Sequence, residues 1–311
     1  TLAGKTVLLT GASRGIGADI ARVLVQKQAT VVGVARSQAA LERVCAEVDA
    51  LGGRGIPVSF DISRVDQLPA LVQQIEQQVG TPDILINNAG LERYCAFQDY
   101  SPSDLHHILS VNLIAAMELT RLLLPGLLQR GSGHIVNLVS LAGKKGHPYD
   151  SVYSASKGGL LLWNHALRQE LWGTGVEVSA ICPGYVADRG MLADTGVPAP
   201  RLAGVSESGD VAIALLKAIE HNRAEVIVNQ DFFTETLTKL LLATEQIFPR
   251  MADLTNRWLG VTQLNQQRIK PKSKHPSPPS HLRVPTSPLA SPAPPASPAS
   301  STSPAFWTRK P

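Results

Sequence analysis

Tyr153 and Lys157 stand four residues apart in the stretch "VYSASKGGLLLW", which begins at Val152. Residues four apart share one face of a helix, so the phenol and the ammonium would lie side by side. A nearby cation favours the ionised form of a phenol, whose unperturbed pKa is about 10. A tyrosine tuned in this way could give a proton to a substrate oxygen or take one from it. The same spacing also occurs in helices whose lysine points to solvent, so the pair needs support from the rest of the chain.

The chain around this pair alternates between short apolar strands and helical patterns. The strand candidates are "KTVLLT", "ATVVGVA", "GIPVSF", "DILIN", "HIVNLVS", "VEVSAIC" and "AEVIVN". Strands that are apolar throughout are typical of a parallel sheet covered on both faces, and their alternation with helices predicts right-handed βαβ units. The predicted fold class is α/β: a single doubly wound domain with a parallel seven-stranded sheet (Rossmann fold) over residues 1–230.

Two further segments follow the predicted domain. Residues 231–267 keep a helical rhythm that Pro249 should break or kink, so they are predicted to form a helical extension. Residues 268–311 are rich in Pro, Ser and Ala, and cannot bury enough apolar surface to offset their chain entropy. They are predicted to be a disordered basic tail. The apolar part of the extension, 232–258, could cover a substrate site, pack against a second subunit or lie on a membrane; its mixed charges favour packing.

The charge balance argues against a nucleic-acid partner. The net charge is +4, but the seven basic residues from Arg268 onward leave 22 basic and 25 acidic residues in the rest of the chain. A mildly acidic body with a basic tail is not typical of nucleic-acid-binding domains. No uninterrupted apolar stretch reaches the roughly 18 residues of a membrane span, so none is predicted, and a peripheral membrane contact is left open.

The cysteines and the first residues favour a cytoplasmic protein. Cys45, Cys95 and Cys182 are odd in number, far apart and without metal-ligand spacing, so we expect reduced thiols and no metal site. The chain runs from Thr1 directly into the first strand, without a signal-peptide pattern.

A glycine-rich loop joins the first strand to the first helix. In "TGASRGIG", Gly11, Gly15 and Gly17 allow a tight turn and a close approach to a pyrophosphate, with Ser13 and Ile16 lying between them. A glycine pattern is weak evidence alone, and its position between a strand and a helix strengthens it. The loop therefore predicts a dinucleotide site, and a purely structural turn is the alternative.

Two arginines favour NADP(H) over NAD(H). Where an acidic residue would bind the ribose hydroxyls of NAD, at the end of the second strand, the chain has Ala35 and Arg36. Arg14 lies in the glycine loop. Two guanidinium groups there suit a 2′-phosphate through charge-assisted hydrogen bonds, unless both are ordinary surface residues.

These motifs resemble the short-chain dehydrogenase/reductase family over about residues 3–229. "TGASRGIG" is similar to the cofactor motif of the family, and "NNAG" at residues 87–90 to the motif after its fourth strand. The other matches, in order along the chain, are Asn112 in the following helix, Ser140 at the end of the fifth strand, Tyr153 and Lys157, and Pro183 with Gly184 after the sixth strand. Six motifs in register are far more specific than any one of them.

The resemblance implies a role for each matching residue. Tyr153 would be the general acid for carbonyl reduction, Lys157 would lower its pKa and hold the nicotinamide ribose, and Ser140 would hold the substrate oxygen. Asn112 would hold a water in a proton relay. Asp61 would meet the adenine by analogy, or serve as a helix cap. The residues expected to line the adenosine ribose are Asn88, Ala89 and Gly90. The family's usual interface helices match about 102–129 and 153–172, which implies a homodimer or homotetramer.

One position departs from the family pattern. Many members carry a threonine four residues after Gly184, where it binds the nicotinamide carboxamide, but this chain has Asp188. A carboxylate can accept a hydrogen bond there and cannot donate one. The effect on cofactor affinity or substrate type is left open.

The predicted activity is hydride transfer between NADP(H) and a carbonyl compound or secondary alcohol. The loops "LERYCAFQDY", "LAGKKGHPYD" and "YVADRGMLADTGVPAPRLAG" would border the site and suit a medium or large apolar small-molecule substrate. Two alternatives are a nucleotide-sugar epimerase or dehydratase of the same family and a non-catalytic NADP(H)-binding scaffold or sensor.

Overall fold

The computed structural model, which describes residues 2–200 and 203–269, is built on a sheet of seven parallel strands. The strands in chain order are β1 (Thr6–Thr10), β2 (Thr30–Ala35), β3 (Arg54–Ser59), β4 (Ile84–Asn87), β5 (Gly133–Leu138), β6 (Val176–Pro183), the two short strands β7 (Tyr185–Val186) and β8 (Val205–Ser206), and β9 (Glu225–Val228). The sheet order is β3-β2-β1-β4-β5-β6-β9, while β7 and β8 form a separate pair. The predicted doubly wound sheet is confirmed.

Helices cover both faces of this sheet. They are α1 (Gly15–Val25), α2 (Gln38–Ala50), α3 (Leu68–Val79), α4 (Pro102–Leu109), α5 (Ala115–Arg130), α6 (Ser151–Glu170), α7 (Ser208–Glu220), α8 (Phe232–Ile247), α9 (Pro249–Trp258) and α10 (Val261–Arg268). Leu24 of α1, Leu41 of α2 and Leu215 of α7 lie in the core on one face. Leu71 of α3 and Leu119 of α5 lie in the core on the other. The amphipathic helices thus bury both faces of the apolar strands.

The strand order reverses between β1 and β4. Leu8 of β1 lies beside Val32 of β2 on one side and beside Leu85 of β4 on the other. The connections from these neighbouring strands leave in opposite directions, which opens a crevice beyond their carboxyl ends. The glycine loop after β1 and the loop after β4 both lie at this crevice, so the fold alone places them together.

Two helix boundaries differ from the sequence analysis, and a third agrees with it. The long helix expected at 102–129 is divided into α4, a π-helical turn at Ser110–Ile114, and α5. Pro249 begins α9, as its effect on the helical pattern predicted. Arg268, assigned to the tail, is the last residue of α10 and is buried. The rest of the tail, 270–311, lies outside the described residues.

One helical stretch is long and apolar enough to pass a length-and-composition test for a membrane span. It is Pro102–Arg130, and 44% of its most apolar window is buried inside the fold. Core helices of globular proteins pass the same test, and Leu119, Leu123 and Leu127 of this stretch pack in the core. It is therefore weak support for a membrane span.

A chain of buried amides ties α6 to the sheet. Asn87 of β4 donates through Nδ2 to Asn137 Oδ1 of β5 at 2.9 Å, and Asn137 Nδ2 donates to Asn164 Oδ1 of α6 at 2.9 Å. All three side chains are buried. Because buried polar groups must be satisfied, this ladder fixes the position of α6 along the strands.

We expect Asn137→Ala to lower the free energy of unfolding by about 1–3 kcal/mol for each partner left unsatisfied, the Asn87 amide and the Asn164 carbonyl oxygen. Chemical denaturation would measure the change. Gln129→Ala, at an exposed position near the end of α5, is the control and should change stability little. Equal stability of the two variants would contradict the proposed role of the ladder.

Candidate active site

Tyr153 and Lys157 lie on the first two turns of α6, which faces the crevice. Both are nearly buried, with 8% and 3% of their surface exposed. Lys157 donates through Nζ to the backbone oxygen of Leu138 at 2.7 Å, and the same atom lies 5.8 Å from the centre of the Tyr153 ring. The last residue of β5 therefore holds the ammonium beside the phenol. Ser140 lies two residues after the end of β5, and its Oγ accepts a hydrogen bond from the Ala142 N–H.

Asn112 lies in the π-helical turn between α4 and α5. Its Nδ2 donates to Leu91 O and to Ser156 Oγ, both at 2.9 Å, and its Oδ1 accepts from Leu91 N at 2.7 Å. A π turn inserts one extra residue into a helix and is frequent at functional sites. Asn112 thereby fixes the loop after β4 against α6, while its expected role in a proton relay stays a prediction. A methyl group built on Gly90 would come 3.7 Å from Lys157 Nζ and 3.8 Å from Asn112 Oδ1.

The pKa of Tyr153 moves in the opposite direction to the one expected. It is raised above the ordinary range of a phenol by burial first, and then by the negative charges of Glu92 and Asp150. A hydrogen bond with Ser140 acts the other way. Burial also lowers the pKa of Lys157 to about 8, against the opposing influences of Cys182 and Glu92. In this structure burial and the two carboxyls set the direction of the shift, and not the ammonium that the sequence analysis expected to dominate.

The glycine loop fits a pyrophosphate. Gly15 has φ +55°, and a Cβ on Gly17 would come 2.1 Å from Gly11 O, so the loop packs on α1 as only glycine permits. The helix begins after Arg14, and no side chain caps it. Unbonded N–H groups and the helix dipole at such an end attract an anion. The residues present therefore fit the phosphates of a dinucleotide.

The loop after β4 is tied to the glycine loop. Thr10 Oγ1 accepts hydrogen bonds from the backbone N–H groups of Asn88 and Ala89, both at 3.0 Å. Asn88 returns two bonds through Nδ2, to Thr10 O at 2.9 Å and Gly11 O at 3.2 Å. A Cβ on Gly11 would come 2.8 Å from the Ala89 Cα. These contacts make the two loops one rigid wall.

A cavity of about 550 Å³ brings most of the predicted residues together. Those lining it are Gly11, Ser13, Arg14, Gly15, Ile16, Gly17, Arg36, Asp61, Asn88, Ala89, Gly90, Ser140, Tyr153, Lys157, Pro183 and Gly184. Asn112 stands behind this lining. Arg14, which lines the cavity, pairs with Asp194 at 2.6 Å. Asp61 accepts from the Ser63 N–H at 3.0 Å, so it forms a local turn as well as facing the cavity.

Asp188 does not face the cavity. Its carboxylate accepts hydrogen bonds from the N–H of Ser208 at 2.9 Å and from its hydroxyl at 2.6 Å, at the first residue of α7. Partial burial acts to raise the pKa of Asp188, but the bonds from Ser208 outweigh it and hold the pKa below its usual range. Asp188, whose role the sequence left open, thus binds the start of α7 through its carboxylate.

The helical extension forms the far wall of the cavity. The apolar lining residues from α8 to α10 are Leu237, Leu241, Leu242, Leu259 and Val261. Lys145, after β5, pairs with Glu245 of α8 at 2.5 Å, and both side chains are mostly buried. The sequence left three roles open for 232–258. The lining residues Leu237, Leu241 and Leu242 favour the first of them, in which this segment covers the site. The opposite side of the same helices is exposed and also apolar, at Phe233, Leu240, Ile247, Phe248, Leu254 and Trp258.

Three charged residues of this region were not predicted: two act on Tyr153, and the third acts on those two. Glu92 lies two residues after the "NNAG" motif, Asp150 lies directly before α6, and Arg268 ends α10. An acidic residue directly before a helix, such as Asp150, is ordinarily interpreted as a helix cap. Arg268 was assigned to the tail because of the composition of that segment. Proximity of Glu92 to a predicted cofactor loop was the only sequence signal for this group.

Comparisons with known proteins identify the family of this chain. The family model for short chain dehydrogenases matches residues 5–196. The chain belongs to the short-chain dehydrogenase/reductase family. The ketoacyl reductase HetN of Nostoc sp. is 56% identical over 274 residues, which cover 88% of this chain and 96% of that protein. The 3-oxoacyl-[acyl-carrier-protein] reductase FabG of Vibrio harveyi is 30% identical over 69% of this chain and 90% of its own length.

A solved structure of the family has the same fold. It is a metagenomic short-chain oxidoreductase in complex with NADP, 32% identical, with a TM-score of 0.64 over 74% of this chain and 99% of its own length. Membership of the family makes this chain an oxidoreductase that uses a nicotinamide cofactor.

We expect Leu241→Asp to raise the KM of this dehydrogenase for a long apolar ketone by about tenfold or more, since a charge would replace part of the apolar wall. A small ketone should be affected little. Leu240→Asp is the matched control, because Leu240 points outward with 64% of its surface exposed and does not line the cavity. Equal effects of the two substitutions on KM would contradict the assignment of this wall.

Proposed function

We propose that this protein transfers hydride between NADP(H) and the carbonyl carbon of an apolar substrate of medium or large size, acting chiefly as a reductase. The observation that carries the proposal is that Ser140, Tyr153 and Lys157 line one cavity together with the glycine loop. A scaffold that only binds the cofactor has no need of a hydroxyl, a phenol and an ammonium at one place.

The side chains have separate tasks in reduction. The Ser140 hydroxyl holds the substrate carbonyl oxygen, and the Tyr153 phenol donates its proton to that oxygen. The Lys157 ammonium, held by Leu138 O, stabilises the negative charge that develops as the proton leaves. The hydride is supplied by the nicotinamide ring of the cofactor when it is bound. In alcohol oxidation the same groups work in reverse, and Tyr153 accepts the proton.

The proposed cofactor preference rests on two guanidinium groups. Arg14 and Arg36 both line the cavity at the end where the glycine loop and β2 meet. Arg36 follows β2 at the position where an acidic residue would bind the ribose of NAD. Both can reach a 2′-phosphate, and Arg14 would exchange its contact with Asp194 for that bond. The metagenomic relative crystallised with NADP is consistent with this preference.

The proposed substrate class is a 3-oxoacyl thioester or a similar ketone with an apolar chain. The leucine-lined wall of α8 to α10 suits an acyl chain, and the names of two relatives, a ketoacyl reductase and a 3-oxoacyl-[acyl-carrier-protein] reductase, support the class. We further propose that the protein acts in the cytoplasm as a homodimer or homotetramer. Nucleotide-sugar epimerisation is less favoured, since its enzymes generally add a larger substrate domain.

We expect Tyr153→Phe to lower turnover of 3-oxoacyl thioesters by about 10²–10⁴-fold, because the proton donor is lost, while NADPH binding persists. Turnover would be followed by the loss of NADPH absorbance, and binding by NADPH fluorescence. Phe fills nearly the same volume, so the variant should keep the wild-type melting temperature. Turnover within about tenfold of wild type would refute the proposed acid–base role.

Arg36→Asp should weaken NADPH binding by about tenfold or more and improve the relative use of NADH, since a carboxylate repels the 2′-phosphate. Arg43→Asp, on the exposed side of α2, is the charge-matched control and should leave both affinities close to wild type. A wild-type protein that already prefers NADH would overturn the NADP(H) assignment.

A further inference from the structure

Two carboxyls and a guanidinium meet in the wall of the cavity beside Tyr153. Glu92 comes from the loop after β4 and lines the cavity, while Asp150 precedes α6 and is buried behind it. Arg268, at the end of α10, is also buried, with 3% of its surface exposed. None of the three is part of the acid–base set proposed above.

Asp150 lacks a donor for either of its oxygens. Both oxygens are buried, and neither accepts a hydrogen bond from a donor in the described part of the chain. The group placed to bond them is the carboxyl of Glu92, whose Oε1 accepts from the Tyr94 hydroxyl at 2.9 Å. Two ionised carboxylates cannot hydrogen-bond to each other, because neither has a proton to donate. One proton between them satisfies both and removes their repulsion.

Arg268 supplies one positive charge to this pair. Its Nη1 donates to Asn265 Oδ1 at 2.6 Å and its Nη2 to Pro198 O at 2.7 Å, which fixes the guanidinium inside the protein. Its flat face lies 5.3 Å from the ring centre of Tyr94 and 5.6 Å from that of Tyr185. One cation balances two carboxyls only when they carry a single negative charge. A shared proton therefore makes the buried group neutral overall.

We propose that Glu92 and Asp150 share one proton, balanced by Arg268, and that this buried group sets the charge against which Tyr153 ionises. The three residues are positioning residues, since they act on the reaction through the phenol. Through Arg268 the helical extension thus controls the chemistry as well as the shape of the site.

The titration behaviour of the neighbours agrees with this arrangement. Burial and then the charge of Glu92 raise the pKa of Asp150 far above its usual range, and burial raises the pKa of Glu92. In the part of the chain that the structure describes, the other titratable groups that act on the pair or its cation are the phenols of Tyr94, Tyr100, Tyr153 and Tyr185, the ammonium of Lys157 and the imidazole of His147. Burial lowers the pKa of His147 to about 4, so this ring is neutral in the working range.

Infrared spectroscopy of the protein without substrate tests the shared proton directly. We expect one protonated-carboxyl band at neutral pH in the wild type, its loss in Asp150→Asn, and its retention in the control Asp66→Asn at an exposed position. Should Asp150→Asn fail to fold, Glu92→Gln makes the same test. Arg268→Gln removes the balancing cation, so the pH at which the carboxyl pair takes up its second proton should rise by about one pH unit or more. Arg268→Lys should restore the wild-type value. The same bands in wild type and in the carboxyl variant would overturn the proposal.

The pH profile of alcohol oxidation tests the effect on Tyr153, and this readout alone rests on the proposed function. The tuning role requires the pair to lose its proton before Tyr153 does, so that the phenol faces two carboxylates in the wild type and one in Asp150→Asn. The rising limb of kcat should therefore move to lower pH, on the order of one pH unit, in that variant and not in Asp66→Asn. A pH profile of Asp150→Asn that coincides with the wild-type profile would overturn the tuning role. If the wild-type protein shows no turnover at all, the proposed function is contradicted, and the infrared result still stands by itself.

Discussion

The buried ammonium of Lys157 needs polar partners, and the way the fold supplies them determines the geometry of the whole site. Its bond to the backbone oxygen of Leu138 joins α6 to the end of β5 at 2.7 Å. The amide ladder from Asn87 through Asn137 to Asn164 fixes the same helix at a second point, further along its length. Because Tyr153 is one turn away on α6, the phenol has little freedom relative to Ser140 and Gly90. A preorganised site of this kind requires little rearrangement when a substrate is bound.

The helical extension completes the site from the other side. The family model ends at residue 196, yet α8 to α10 contribute an apolar wall, and Arg268 contributes a buried charge. Through the apolar wall, the length of a substrate's acyl chain affects KM. Through the charge of Arg268, the extension affects the pKa of Tyr153. The exposed apolar side of α8 and α9 keeps the subunit-interface and membrane-surface interpretations as predictions to be tested by mass and by vesicle binding.

Much of the fold was accessible from the sequence, since strand and helix periodicities are local. The seven strands, the break at Pro249 and the glycine loop follow directly from such patterns. The π turn at Asn112 was not predicted, because one extra residue in a helix barely changes its apolar period. The role of Asp188 was left open, since only the folded chain brings Ser208 to its carboxylate. Glu92, Asp150 and Arg268 lie far apart in the sequence, and only the folded chain brings together the loop after β4, the start of α6 and the end of α10. Arg268 was assigned to the tail because of the composition of that segment.

The central claim is that this protein transfers a hydride between NADP(H) and a carbonyl carbon inside this cavity. The most direct measurement incubates the protein with a 3-oxoacyl thioester and NADPH carrying deuterium on the transferable position of the nicotinamide ring. Mass spectrometry of the product should show one deuterium on the new carbinol carbon, with stoichiometric formation of NADP⁺. An epimerised product without label, or bound cofactor that never transfers its deuterium to any ketone tested, would contradict the account.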